Sequence, residues 1–274
     1  MTRIAIHGAA GRMGRAVIDQ ILAREGAELG AALERSGHGS LGCDAATLVG
    51  RSDPLGVMLG DDLAAGLERV EVAIDFSLPE GTGQLLAACA AAGCPAVVGT
   101  TGLDAAGREA LEACASRAPV VYAPNFSVGV NLFWALARRA VELAGDEFDL
   151  EIVEMHHRRK VDAPSGTAAR LLEVVAEARG LEPERAAVHG RSGRPGARTR
   201  EEIGVHALRG GDVVGDHTLL LAGPGERLEL THRAHSREIF AAGAVRAAIW
   251  VVGREPGLYD MADVLGISVG RDAG

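Results

Sequence analysis

The strongest constraint on the fold is the order of strand, glycine turn and helix at the start of the chain. Residues 3–7 form a short apolar run typical of a strand, and the turn Gly-Ala-Ala-Gly-Arg-Met-Gly follows at residues 8–14. Apolar side chains then recur at helical spacing through residue 22. Glycines at such a turn permit a tight bend, close approach of the backbone to a pyrophosphate and close packing of helix on strand. The spacing is GxxGxxG rather than GxGxxG, so an ordinary βα turn of small residues is the alternative.

The end of the second predicted strand carries two charges suited to the adenosine end of a dinucleotide. Residues 27–33 are predicted to form this strand, and Glu34 and Arg35 follow it, about twenty residues past Gly14. A dinucleotide-binding fold places an acid there to accept hydrogen bonds from the ribose hydroxyls. Arg35 could instead meet a 2′-phosphate, so the pair predicts use of both NADH and NADPH. The alternative is a charged, exposed strand end without a ligand.

The alternation of strand and helix continues and predicts a doubly wound, Rossmann-like parallel sheet of the α/β class. Strands are predicted at residues 70–76, 96–98 and 120–123, residues 77–80 are predicted to cap a helix, and the Gly- and Asp-rich segment 36–62 is expected to be irregular. Ligands of such sheets bind beyond the carboxyl ends of the strands. Each loop alone is typical of a plain connection, but together they converge on one edge. The predicted cofactor-binding residues are Gly8, Ala9, Ala10, Gly11, Arg12, Met13, Glu34, Arg35, Gly99, Thr100, Thr101, Ala123, Pro124, Asn125 and Phe126.

A basic segment follows the strand predicted at residues 148–155. It contains two adjacent histidines, three cations and a Pro-Ser-Gly-Thr turn, and it precedes a helix predicted to end near residue 179. Free N–H groups at a helix start, with His and Lys nearby, suit a small anion and a transferable proton. A solvated basic loop before a capped helix is the alternative. Asp162 could orient Lys160 or cap the turn, and capping is the preferred interpretation.

Three further strands, at residues 203–208, 212–222 and 227–234, have no helices between them. They predict an inserted α+β domain with an open mixed sheet, one face or edge of which could be covered by pairing between subunits. Residues 1–126 and 238–274 are assigned to the dinucleotide-binding domain, and 127–237 to the substrate-binding and oligomerisation domain. Helices at 237–252 and 259–265 return the chain to the first domain. The arginine-rich loop 188–200 is either solvated or a lid that attracts an anionic substrate.

Composition excludes several classes of protein. The net charge of −9 argues against general nucleic-acid binding, which needs a basic face. The four cysteines have neither CxxC nor zinc-like spacing, so no metal site is predicted and buried free thiols in a reducing compartment are expected. No apolar run reaches the ~18 residues of a membrane span. Because the chain enters a strand directly, without a signal peptide, a cytoplasmic location is predicted.

Seven segments in order along the chain resemble the 4-hydroxy-tetrahydrodipicolinate reductase (dihydrodipicolinate reductase) family of lysine and diaminopimelate biosynthesis. They are GAAGRMG from Gly8, ALER from Ala32, DFSLPEGT from Asp75, VGTTG from Val98, NFSVGVN from Asn125, EMHHRRKVDAPSGTA from Glu154 and GERLELTHRAHSR from Gly225. The resemblance implies a two-domain NADH- or NADPH-dependent reductase that forms a homotetramer through its open sheets. It implies His156 and Lys160 as catalytic residues. It implies substrate contacts from His157, Lys160, Ser165, Gly166 and Thr167. Pro124 departs from the family pattern and removes a backbone donor.

The residues also suit the implied chemistry. The substrate would be a cyclic, imine-like dicarboxylate, whose carboxylates need cations and free N–H groups. Hydride addition to the ring must be balanced by a proton, which His156 and Lys160 could supply. Whether the protein itself removes the 4-hydroxyl as water is left open. Two alternatives are a related dehydrogenase of an amino- or hydroxy-dicarboxylate and a non-enzymatic dinucleotide sensor.

Overall fold

The computed structural model describes residues 1–267 and divides into two compact units. Unit 1 comprises Met1–Val128 and the chain from Glu238, and unit 2 comprises Gly129–Arg237. The predicted domain boundaries fall after residues 126 and 237, so the first lies two residues before the division of the units. Residues 268–274, which the prediction assigns to the nucleotide domain, lie outside the described residues.

The elements are numbered in chain order. Up to residue 122 they are β1 (Thr2–His7), α1 (Arg12–Ala23), β2 (Ala27–Leu33), α2 (Ala45–Leu48), β3 (Leu59–Gly60), α3 (Leu63–Leu67), β4 (Val72–Asp75), α4 (Pro79–Ala92), β5 (Ala96–Val98), α5 (Ala105–Ala115) and β6 (Pro119–Tyr122). From residue 128 they are α6 (Val128–Ala144), a 3-10 turn (Gly145–Glu147), β7 (Asp149–His156), α7 (Gly166–Ala178), α8 (Pro183–Ala186), β8 (Ala187–Val188), β9 (Ile203–Arg209), β10 (Gly215–Gly223), β11 (Glu226–Ala234), α9 (Glu238–Val251), β12 (Gly257–Tyr259) and α10 (Met261–Leu265).

Unit 1 contains a parallel sheet with helices on both faces, as predicted. Among the described residues its strand order is β12-β6-β5-β4-β1-β2-β3. Side chains alternate across β1: Ile4 and Ile6 pack in one apolar cluster with α1 and α9, and Ala5 in the other with α4 and α5. The prediction missed β3 and β12, which have two and three residues, because such short strands show no period. The helix expected at 259–265 is β12 followed by α10, which Asp260 caps.

Unit 2 contains the predicted open mixed sheet. Within the described part of the chain its order is β11-β10-β7-β9-β8, with antiparallel β11–β10 and β10–β7 pairs and parallel β7–β9 and β9–β8 pairs. One face packs on α6 and α7 through residues that include Phe133, Trp134, Leu171 and Ile152. Alternate residues of β7 are buried, so Leu150, Ile152, Glu154 and His156 share the helix-covered face. The side chains between them lie on the opposite face.

The structure bears on the expected burial of the cysteines and on the expected lack of a membrane span. Cys89, Cys94 and Cys114 are buried free thiols, as expected, whereas Cys43 is exposed because it lies in the irregular segment before α2. Among residues 1–267, no helix combines the length and the apolar character that crossing a bilayer requires.

Candidate active site

The predicted cofactor residues of unit 1 follow four parallel strands. Gly8 follows β1, Glu34 follows β2, Gly99 follows β5 and Ala123 follows β6. Since β1, β2, β5 and β6 belong to one parallel sheet, their carboxyl ends share an edge. The structure therefore brings the predicted set to one side of unit 1.

The glycine turn after β1 is tightly packed. Gly8 has φ +78°, and its N–H and that of Ala9 donate to the carbonyl oxygen of Leu33 at 3.0 and 3.1 Å. A Cβ at Gly14 would lie 2.1 Å from the carbonyl oxygen of Gly8, so only glycine lets α1 start this close to the turn. Gly11 is the N-cap, and no side chain of the described residues caps α1 there. The turn thus presents the N–H groups of a helix start to an anion, which fits a dinucleotide pyrophosphate.

Glu34 and Arg35 lie beside this turn. The Glu34 carboxylate accepts hydrogen bonds from the Ala10 N–H at 3.2 Å and from the Arg35 N–H at 3.0 Å. Glu34 is half-buried, whereas Arg35 is exposed. The acid is therefore held at the turn, and the guanidinium stands at the rim.

Aromatic rings line the loops after β4 and β6. Phe76 and Phe126 meet edge to face with ring centroids 6.0 Å apart. A Cβ at Gly99 would lie 2.2 Å from the Phe76 ring, so glycine is required for this close approach. Pro124 is exposed, and the Asn125 side chain accepts a hydrogen bond from the Ser127 N–H at 2.9 Å.

A buried carboxylate connects several of these strand ends, and the sequence analysis missed it. Asp75 is fully buried and lies 2.8 Å from His7 Nδ1. It accepts hydrogen bonds from the hydroxyls of Ser77, Thr82 and Thr100, the last at 2.8 Å. Thr100 is one of the predicted cofactor residues, so Asp75 fixes part of that loop.

The pKa of Asp75 follows from these contacts. Burial raises the pKa. The hydrogen bond and charge of His7, together with the hydrogen bonds from the Thr82 and Ser77 hydroxyls, lower the pKa by more than burial raises it, so the pKa of Asp75 is lowered overall. Residues 77–80 were predicted to cap α4, but Ser77 lies one residue before the N-cap, and its hydroxyl donates to Asp75. The N-cap is Leu78, which makes no side-chain cap.

In unit 2, a second buried carboxylate holds the first histidine of the basic segment. Glu154 is fully buried, and one of its oxygens lies 2.6 Å from His156 Nδ1. Arg209 donates to both Glu154 oxygens at 2.9 Å, and the Ser165 N–H donates at 3.1 Å. The sequence analysis assigned no role to Glu154 or Arg209. A carboxylate two residues before His156 on a strand shares its face, and this was the available signal.

The pKa of His156 is lowered. Burial is the largest cause, the hydrogen bond and charge of Glu154 oppose it, and the charges of Lys160 and Arg209 reinforce it. The pKa of Glu154 is also lowered: burial raises it, but the bonds from Arg209, His156 and Ser165 more than offset that. An ionised Glu154 that accepts from Nδ1 favours the hydrogen on Nδ1 and leaves Nε2 for proton exchange.

His217 is another buried histidine that the prediction missed. Its ring meets His156 edge to face at 5.2 Å, and its Nε2 lies 3.1 Å from the Ser165 hydroxyl. Burial first, then the charge of His156, lowers the pKa of His217 to about 4, so it is neutral at pH 7. A Cβ at Gly215 would lie 2.9 Å from His156 Nε2, so glycine leaves that nitrogen uncrowded.

Lys160 forms an ion pair with Asp162 at 2.8 Å. The preferred interpretation, that Asp162 caps the turn, is wrong, because its carboxylate is paired with Lys160 and another residue caps the helix that follows. The N-cap of α7 is Ser165, whose hydroxyl accepts from the Ala168 N–H, because Asp162 lies four residues before the helix. Asp162 instead orients Lys160, and its carbonyl oxygen accepts from Arg209 at 2.6 Å.

The second histidine and the start of α7 form the rest of the predicted substrate site. His157 is half-buried, and its Nε2 lies 3.4 Å from a guanidinium nitrogen of Arg237, which the prediction also missed. Gly166 and Thr167 are the first residues of α7, and the Trp134 ring N–H donates to the Thr167 carbonyl at 3.3 Å. The helix start is therefore fixed from the α6 side.

Two arginines of the loop 188–200 are used within unit 2. Arg191 donates to both oxygens of Glu151, at 2.9 and 3.1 Å, and Arg198 donates to the same carboxylate at 3.2 Å. These ion pairs hold the loop to β7. Arg194 and Arg200 are exposed. Arg191, although exposed, and Arg198 are therefore ion-paired within unit 2, and neither is available as a free cation for a substrate lid.

Comparisons with known proteins agree with the motifs. Family models described as dihydrodipicolinate reductase, N-terminus and C-terminus, match residues 2–126 and 129–265. The 4-hydroxy-tetrahydrodipicolinate reductase of Alkalilimnicola ehrlichii is 55% identical over 97% of this chain and 99% of its own. That of Thiobacillus denitrificans is 54% identical over 97% and 98%.

Solved structures also resemble this chain. A dipicolinate-bound dihydrodipicolinate reductase from Paenisporosarcina sp. TG-14 superposes with a TM-score of 0.71 at 25% identity, covering 96% of this chain and 98% of that one. An amine dehydrogenase from Mycobacterium smegmatis, at 17% identity and a TM-score of 0.58, covers 94% of each chain and shares the fold.

Proposed function

Since this chain belongs to the dihydrodipicolinate reductase family, we propose that His156 and Lys160 carry the proton chemistry of its reaction. The protein is an NAD(P)H-dependent oxidoreductase that reduces 4-hydroxy-tetrahydrodipicolinate to tetrahydrodipicolinate in diaminopimelate and lysine biosynthesis.

His156 is assigned the proton transfer because its Nδ1 is held 2.6 Å from a buried carboxylate. This arrangement fixes the ring and directs Nε2 away from Glu154. Burial lowers the pKa of His156, so its protonated ring is a stronger acid than a free imidazolium and gives up its proton more easily. Lys160, oriented by Asp162, stabilises the developing charge or shares the proton.

The proposed substrate contacts come from the charged side chains of unit 2 and from the backbone donors at the start of α7. The Paenisporosarcina structure contains dipicolinate, a dicarboxylate, and the substrate of this chain is also a small dicarboxylate. We assign its carboxylates to Lys160, His157 and the backbone donors of Gly166 and Thr167 at the start of α7. Ser165 supports this site from behind, because its hydroxyl already bonds the Ala168 N–H and His217.

The cofactor is a nicotinamide dinucleotide, and we propose that both NADH and NADPH are used. When bound, the nicotinamide supplies the hydride. The turn from Gly8 to Met13 would hold the pyrophosphate, and its close-packed glycines fit that role. Glu34 would accept from ribose hydroxyls, and the exposed Arg35 would meet a 2′-phosphate. The loops after β5 and β6 would contact the nicotinamide half.

A homotetramer is proposed from the open face of the unit 2 sheet. Val153 on β7 is flanked there by Thr218 on β10 and His206 on β9, and Leu208 on the same face is 49% exposed. A partly apolar sheet face of this kind is suited to pairing between copies. Light scattering should give a tetramer for the natural chain and a smaller species for Val153→Asp. A Val153→Asp variant that remains tetrameric would exclude this face.

The cytoplasm is the proposed location. The four cysteines are free thiols, which reducing compartments maintain. Fractionation of a producing cell should recover the reductase activity with cytoplasmic markers, and recovery from a secreted or membrane fraction would contradict the proposal.

The functional assignment is tested by NAD(P)H oxidation with freshly generated 4-hydroxy-tetrahydrodipicolinate. His156→Gln and Lys160→Ala should each lower kcat by roughly 10²-fold or more, because each removes a group that acts on the developing charge. Arg159→Gln is the matched control: it removes an exposed neighbouring cation and should leave kcat unchanged. Full activity in both site variants would contradict the roles of His156 and Lys160.

A further inference from the structure

We propose that Glu154 is a positioning residue that fixes His156 with Nε2 available, and that Arg209 prevents this carboxylate from holding the ring permanently protonated. The proposal rests on the proposed function in one respect, that His156 exchanges the proton of the reaction. The pair acts through His156 rather than on the substrate.

The strand geometry brings the three groups together. Glu154 and His156 are two residues apart on β7 and share its helix-covered face. Arg209 is the last residue of β9 and is directly opposite His156 in the parallel β7–β9 pair. The three side chains therefore meet within one layer of the sheet, although 55 residues separate Glu154 from Arg209.

Glu154 has a complete set of partners. Its side chain is fully buried, Arg209 forms two parallel bonds with it at 2.9 Å, and the Ser165 N–H and His156 Nδ1 take the remaining positions. A buried carboxylate is stable as an anion only when its charge and acceptor sites are matched in this way. Glu154 is thus an ionised acceptor that binds Nδ1–H rather than a donor.

The charges around His156 define what each partner does. Glu154 faces it from β7, Arg209 from β9, Lys160 from the basic loop and His217 from β10, with Asp162 paired to Lys160. His217 is neutral at pH 7, and Ser165 from the start of α7 is uncharged. Of these charges, Glu154 favours the protonated ring, whereas Lys160 and Arg209 oppose it. Loss of Glu154 should disfavour the imidazolium, and loss of Arg209 should favour it.

Two variants therefore have opposite expected effects, which a general loss of structure would not produce. Glu154→Gln should move the midpoint of His156 titration down by about one pH unit, and Arg209→Met should move it up by a similar amount. The full-length protein, labelled with ¹⁵N-histidine, reports the midpoint and the tautomer, with His156 assigned by its loss in His156→Gln. In the natural chain the neutral ring should carry its hydrogen on Nδ1. The limb of the kcat/KM profile that reports His156 should shift with each midpoint.

Glu151→Gln is the matched control. Glu151 lies on the same strand and also binds an arginine and a histidine, Arg191 and His206, but on the opposite face. It should leave the His156 midpoint unchanged. Midpoints that move in the same direction in Glu154→Gln and Arg209→Met, or a neutral ring with its hydrogen on Nε2, would overturn the proposal.

The positioning role of Glu154 and the catalytic role of His156 can be contradicted separately. Opposite midpoint shifts with an unmoved kcat/KM profile would support the positioning role and overturn the catalytic role of His156. If Glu154→Gln does not fold, Arg209→Met decides alone, because Arg209 is partly exposed at the end of β9. A raised midpoint in that variant supports the proposal, and an unchanged one overturns it.

Discussion

Each unit contains a buried carboxylate bound to the Nδ1 atom of a histidine, and the two pairs have different surroundings. Asp75 in unit 1 lies 2.8 Å from His7, and Glu154 in unit 2 lies 2.6 Å from His156. Both carboxylates are fully buried, and both histidines are the last residues of strands. Sequence and distance alone would give the pairs the same role.

The partners of the two carboxylates differ. Asp75 takes its other hydrogen bonds from hydroxyls, including those of Thr82 and Thr100, which hold neighbouring loops together. Glu154 takes two from Arg209. A carboxylate–histidine pair that is hydrogen-bonded to hydroxyls is suited to fixing strand ends. A pair that lies beside cations is suited to transferring a proton near an anion. The groups around a carboxylate–histidine pair, rather than the pair itself, therefore indicate its role.

The largest expected effect on stability is at Asp75. Asp75→Asn should lower the free energy of unfolding by about 3 kcal/mol, because an amide cannot accept from His7 and three hydroxyls at once. Urea unfolding measures this, with the exposed Asp19→Asn as a control expected to stay within about 0.5 kcal/mol. If Asp75→Asn lowers the free energy of unfolding no more than Asp19→Asn does, the structural role of Asp75 is wrong.

His217, beside the unit 2 pair, makes the stability of the protein depend on pH. Its folded pKa, about 4, lies below the unfolded value of 6.5, so the unfolded state binds protons first as pH falls. The contribution of neutral His217 to the free energy of unfolding is fully present above pH 6.5. It is lost as pH falls from 6.5 towards 4, by up to ~3 kcal/mol. Urea titrations across this range should show the loss in the natural chain and a flatter dependence in His217→Gln. Parallel curves for the two proteins would contradict the buried, neutral state of His217.

The smallest expected effect concerns cofactor choice in unit 1. The natural chain should favour neither cofactor by more than about 100-fold, because Glu34 and Arg35 serve the two adenosine ends separately. Glu34→Ala should lower kcat/KM with NADH about 10-fold more than kcat/KM with NADPH. Arg35→Ala should do the reverse, by a similar factor. If both variants lower kcat/KM mainly with the same cofactor, the separate roles of Glu34 and Arg35 are wrong.

The sequence was sufficient to predict what depends on local pattern. The glycine turn before α1, the alternation of strands and helices in unit 1 and the mixed sheet of unit 2 all show a period or a turn signal. The family blocks located the basic segment. These features require only neighbours along the chain.

Contacts between distant residues were not accessible in the same way. His7 and Asp75 are 68 residues apart, and their pairing depends on β1 lying beside β4. Arg209 reaches Glu154 only because β9 pairs with β7 in one register. A one-residue slip would turn the Arg209 side chain to the other face, and no local pattern specifies that register.

Of the two carboxylate–histidine pairs, we expect the unit 2 pair alone to supply the proton of the reaction. The most direct measurement compares kcat of His156→Asn and His7→Asn on freshly made 4-hydroxy-tetrahydrodipicolinate at saturating cofactor. Asparagine keeps an N–H near the position of Nδ1 and removes Nε2, so each carboxylate keeps a donor. His156→Asn should lose roughly 10²-fold or more of kcat, and His7→Asn should stay within about threefold of the natural chain. Equal losses in the two variants, or retained activity in His156→Asn, would contradict the claim.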